Sequence, residues 1–151
     1  MTPRRELDAF IDRYTPEIAR KARAILAKMR KRLPGAVELV YDNYNALAIG
    51  FSPSERASEG IFSIAIFPRH PSLFFLQGVK LPDPAKRLRG NGNVVRHIVI
   101  EGLDLFDDPP VRKLIEVALA KAKVPLDAAQ KRRVIIKSIS AKQRPRRPTG
   151  S

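Results

Sequence analysis

Apolar residues recur at helical spacing through the first third of the chain and then at every second position, a change of period from about 3.6 to 2. Leu7, Phe10 and Ile11 share one face over Glu6 to Asp12. A stronger helix is predicted behind them, with Thr15 as N-cap, Pro16 at the first helical position and Ile18, Ala22, Ile25, Leu26, Met29 and Leu33 as its stripe. Pro34-Gly35 stops it, since neither residue continues a helix comfortably.

Strand periodicity follows. Val37, Leu39 and Tyr41 alternate, Asp42-Asn43-Tyr44-Asn45 reads as a turn, and Leu47, Ile49 and Phe51 alternate again, which predicts a hairpin. Ile61 to Phe67 and Leu73 to Leu76 are β-prone, with Pro68-Arg69-His70-Pro71 turning between them. Gly78, Pro82, Pro84, Gly90 and Gly92 mark Gln77 to Asn93 as an irregular loop, and Val94 to Ile100 returns to strand. Asp108 is placed to cap a last long helix over Pro109-Pro110, striped by Val111, Leu114, Ile115, Ala118, Leu119 and Ala122. Beyond Pro125, Val134-Ile135-Ile136 fits either a short edge strand or a helical turn, and Ala141 to Ser151 has the composition of a flexible tail.

Together these predict an α+β fold in which an antiparallel sheet of about five strands forms a two-layer unit with N- and C-terminal helices. The expected organisation is one domain over residues 1–128 and a basic, flexible tail over residues 129–151.

Charge alters this plain picture. The 29 Lys and Arg against 15 Asp and Glu leave +14 at pH 7, a balance that attracts polyanions. The excess is concentrated at the two ends, with +6 over Met1 to Leu33 and +8 over Ala129 to Ser151, where no acid occurs. Lys28, Lys31 and Arg32 on the long helix, with Lys131, Arg132, Arg133, Lys137, Lys142, Arg144, Arg146 and Arg147 in the tail, are therefore the candidate polyanion-binding residues, for RNA or DNA above all. The absence of cysteine excludes disulfides, thiolate metal sites and a cysteine nucleophile. No stretch is apolar enough to cross a bilayer and no signal-peptide core stands at the start, so a cytoplasmic protein with no membrane partner is expected.

Candidate chemistry is sparse. No G-x-S-x-G elbow or H-E-x-x-H helix occurs, and Gly90-Asn91-Gly92 lacks the Gly-Lys that a phosphate loop needs, so no catalytic residues, metal ligands or cofactor are predicted. His97, between Val95 and Val99 on a strand, reads as a structural histidine and His70 as a turn residue. The alternative to polyanion binding is a small-molecule or metal site on a polar rim formed by Tyr44, Asn45, Asp83, Arg96 and His97.

Leu73-Phe74-Phe75-Leu76-Gln77-Gly78, Leu81-Pro82-Asp83-Pro84, Leu88-Arg89-Gly90-Asn91-Gly92 and Val95-Arg96-His97-Ile98 resemble, in that order, the signature of the YdhG-like family of bacterial domains of unknown function. Tyr14-Thr15-Pro16, Leu33-Pro34-Gly35-Ala36 and the Tyr41 to Asn45 turn extend the resemblance over roughly residues 10–125. It implies an antiparallel sheet against helices and no particular reaction. Some members are described as frataxin-like iron chaperones, which are thought to bind iron through acidic side chains of the first helix. Here the first long helix is basic, with Glu17 as its one acid, and would repel a hard cation.

Overall fold

The computed structural model describes residues 1–148. Two helices with the same opening begin it: α1 (Pro3–Asp12) and α2 (Pro16–Arg32), each preceded by a threonine whose hydroxyl accepts an N–H of the first turn, Arg5 for Thr2 and Ile18 for Thr15. Each has proline at the first helical position, where a missing N–H costs nothing. The first helix therefore starts three residues earlier than the apolar spacing alone implies. Gly35, in the turn after α2, has φ +81°, and a Cβ there would lie 2.0 Å from the carbonyl oxygen of Asp127. Only glycine fits that crossing.

Strands β1 (Val37–Asp42), β2 (Leu47–Ser52), β3 (Phe62–Ile66), β4 (Pro71–Phe75) and β5 (Arg96–Val99) form the predicted antiparallel meander. A sixth strand, β6 (Arg133–Ile139), lies along β1 and is parallel to it, giving the order β5-β4-β3-β2-β1-β6. The sheet is thus mixed and six-stranded, where five antiparallel strands were expected. Part of the expected flexible tail is β6, with Val134 buried and Ile136 packed against the core. Parallel pairing is available because helix α3 (Pro109–Lys121) and a long connection carry the chain back to the start of β1. The register slips at Val40/Tyr41, so Lys137 is an extra residue on β6.

One face of the sheet meets the helices. Val40, Leu47, Ile49, Phe51, Phe62, Ile64, Ile66, Leu73, Phe75 and Ile98 from that face join Leu7, Ile11, Ile25, Leu26, Met29, Val111 and Leu114 in a single apolar core. Phe62 and Phe75, paired across β3 and β4, meet edge to face at 5.6 Å between ring centroids. Asp108 precedes α3, but its carboxylate makes no capping bond and instead pairs with Arg87. Pro109-Pro110 leaves only the Val111 N–H of the two a cap would bind, and the carboxylate is taken up by Arg87. Among the described residues no helix is long and apolar enough to cross a membrane.

Candidate functional site

Cations from the C-terminal turn of α2 and from the residues just before β6 converge on one carboxylate. Strand alternation turns Glu38 toward the helices, where its side chain is fully buried. Arg30 grips it from α2 through two bonds of 2.8 Å, and Arg132 reaches one of the same oxygens at 3.2 Å. A carboxylate buried alone would be strongly unfavourable, so it holds both arginines in place. Lys31, Arg32 and Lys131 are their neighbours in the sequence, exposed and without a carboxylate partner among the described residues. Two basic segments distant in sequence therefore share one anchor, and their combined charge exceeds it.

The other predicted polyanion residues are divided. Lys28 pairs with Asp107 at 3.6 Å and Arg133 with Glu55 at 3.9 Å, while Lys137 donates to the Glu55 carbonyl at 3.1 Å. Arg144 lies over the Tyr44 ring, 5.5 Å from its centroid, and Arg147 donates to the Arg13 carbonyl. Lys142 is exposed. Arg146 departs most from expectation. It is 3% exposed and donates to Asp42 at 2.8 Å, so it is a structural cation and not a free arm. Gln143 and Ser140 bond the Asp42 carbonyl as well, and Arg144 N–H bonds that of Tyr44, which docks the segment after β6 against the β1–β2 turn. Residues 149–151 of the expected tail lie outside the described ones. Nine of the 29 Lys and Arg have a carboxylate within 4 Å among the described residues, leaving 20 that do not.

The expected polar rim is not one place. Tyr44 and Asn45 sit in the turn leaving β1, whereas Arg96 and His97 lie on β5, four strand spacings of ~4.8 Å away. Asp83 is engaged in its own loop, accepting the N–H groups of Arg87 and Leu88, and Arg96 is turned to the carbonyls of Gly92 and Val95. The strand order, which local sequence does not encode, separates them. Among the described residues no three His, Asp or Glu come together as a metal site.

No protein-family model, curated protein or solved structure matches the chain.

What alternation does assemble is the sheet face turned away from the helices. Tyr41 on β1 and Phe74 on β4 both point there, half-buried, as does His97, which stacks on Phe74 with 5.0 Å between ring centroids. Between them run Ala48, Gly50, Ser63, Ala65 and Ser72, whose small side chains leave the middle of the face low. Both strand carboxylates, Glu38 and Asp42, face the other way, toward Arg30 and Arg13. Arg133 and Lys137 border this face on β6. No base-stacking aromatic lies near a basic run in the linear sequence, but the sheet sets Tyr41 beside β6, a proximity that depends on the unexpected parallel strand.

Burial foremost, then the positive field of Arg89 and a lesser one from His70, holds the His97 imidazole below its usual value near 6.5. A base depressed in the folded state binds fewer protons there than when unfolded between the two values, so stability is complete above the unfolded value and falls as pH drops through that window. Chemical denaturation between pH 7.5 and 5 should show this loss, His97→Gln should flatten it, and an NMR titration of the ring should have its midpoint below 6.5. A midpoint at or above 6.5 would contradict the packing described for the ring.

Proposed function

We propose that the chain is a two-layer YdhG-like domain acting as a non-enzymatic binding module, and that its basic corner engages a polyanion, RNA or DNA. The observation that carries this reading is the convergence of Arg30 and Arg132 on the buried carboxylate of Glu38, with Lys31, Arg32 and Lys131 exposed beside those arginines in the sequence. Such a cluster attracts phosphates and gains affinity as they shed condensed counterions. Its anchor also fixes the spacing of the cations, lowering the entropy lost on binding relative to a free arm. The opposite sheet face offers Tyr41 and the Phe74 and His97 stack to unpaired bases, which favours single strands over duplex.

Labelled single-stranded RNA and DNA, titrated at several salt concentrations, test the proposal. Lys31→Glu, Arg32→Glu and Lys131→Glu together should weaken binding at least tenfold and lower the slope of log K against log salt by roughly 2, at about 0.7 for each phosphate that is no longer neutralised. Unchanged affinity in that variant, or binding indifferent to salt, overturns the reading. Substitution is the right tool because truncation at Ala129 would also remove β6 and the partner of Asp42.

A further inference from the structure

A cavity of about 390 Å³ opens between the end of α3 and the neighbouring ends of β3 and β4, and it shares no residue with the Glu38 corner. Its volume falls within the roughly 300–1,000 Å³ usual for small-molecule sites. The floor is apolar, made by Ile61, Phe75 and Leu81, all buried. One wall is the end of α3 and the residue after it, where Ala118 and Ala122 present only methyl groups and so leave the space open.

The mouth has a different character. Lys80, Lys121 and Lys123 stand around it, exposed and without a carboxylate partner among the described residues. Lys121 donates one bond of 2.8 Å to the Lys80 carbonyl, which holds the ammonium at the rim with two of its three protons unspent. Glu59 is the one acid in the lining, and Ser54 binds its carboxylate at 2.7 Å. An apolar interior beneath three ammonium groups complements a molecule with a hydrocarbon body and an anionic end.

We infer that this cavity binds a single-chain amphiphile with an anionic head, a carboxylate or a phosphate monoester, its chain against Ile61, Phe75 and Leu81 and its head at the lysines. The site is independent of the polyanion reading.

Calorimetric titration with the straight-chain carboxylates from hexanoate to decanoate, each below its micellar concentration, tests this on the full chain. Affinity should rise roughly fourfold per methylene until the floor is filled, and octanol should bind at least tenfold more weakly than octanoate for want of charge-assisted bonds. Octyl phosphate beside octanoate identifies the preferred head. Ala118→Trp, which fills the cavity, should abolish binding, and Lys80→Gln with Lys123→Gln should weaken it about tenfold while leaving the increment per methylene intact. Affinity independent of chain length, equal binding of octanol, or binding undiminished in a folded Ala118→Trp protein overturns the inference. Should that variant fail to fold, full affinity in the doubly substituted lysine protein does so.

Discussion

Replacing Asp42 with alanine lowers the stability of the fold by about 3–5 kcal/mol, the range expected when one partner of a buried ion pair is removed. Asp42 and Arg146 are 1% and 3% exposed, so water screens little of their attraction. The aspartate also receives Arg13 at 3.4 Å, and the Arg146 guanidinium further donates to the Asn43 carbonyl. Without the carboxylate, Arg146 keeps a full charge in a site that supplies only carbonyl oxygens, and its Nε already has no hydrogen-bond partner. The midpoint of thermal unfolding should drop on the order of 10 °C. Arg146→Met combined with Asp42→Leu should recover much of that loss, because an apolar pair of similar volume leaves no unpaired charge. A shift of under 2 °C in the single variant would show that the segment after β6 does not hold the position described.

Tyr14→Phe should cost about 2–3 kcal/mol, although it removes a single oxygen. The ring is 1% exposed, beneath the junction of α1 and α2. Its hydroxyl donates to the Ile66 carbonyl and accepts the Leu47 N–H at 3.1 Å, two residues that face each other across β2 and β3. The phenol thus joins the helical layer to the end of the sheet, and phenylalanine would leave two buried main-chain groups to find new partners. Burial above all raises the pKa of this phenol, so it stays protonated and able to donate. Urea denaturation of the two proteins measures the difference. A change below 0.5 kcal/mol would mean that Leu47 and Ile66 pair directly in its absence.

These two groups show where the sequence was readable and where it was not. Thr15-Pro16 and the Pro34-Gly35 stop announced α2 because capping is local chemistry, and the same signal at Thr2-Pro3 preceded an apolar stripe too short to draw attention to it. Alternation from Val37 to Phe51 announced the hairpin for the same reason. Val134-Ile135-Ile136 was ambiguous because three apolar residues among cations fit either period, and what decides between them is pairing with Glu38, Leu39 and Val40, far away in the sequence. Composition showed that the C-terminal segment is basic. It could not show that Arg146 is spent on Asp42 while Lys131 stays free, since that follows from which carboxylates the sheet buries. The proposed rim failed on the same ground, as strand order and not proximity in sequence set Tyr44 apart from His97.

The parallel strand has a bearing on how the protein is made. During synthesis β1 leaves the ribosome long before β6, and until β6 is complete the hydrogen-bonding edge of Val37 to Asp42 has no neighbour on that side. An open edge of that kind is a template for pairing with other chains. Arg133 and Lys137 of β6 are not yet made at that stage, so self-association of the nascent chain is opposed by the combined net positive charge of α1 and α2.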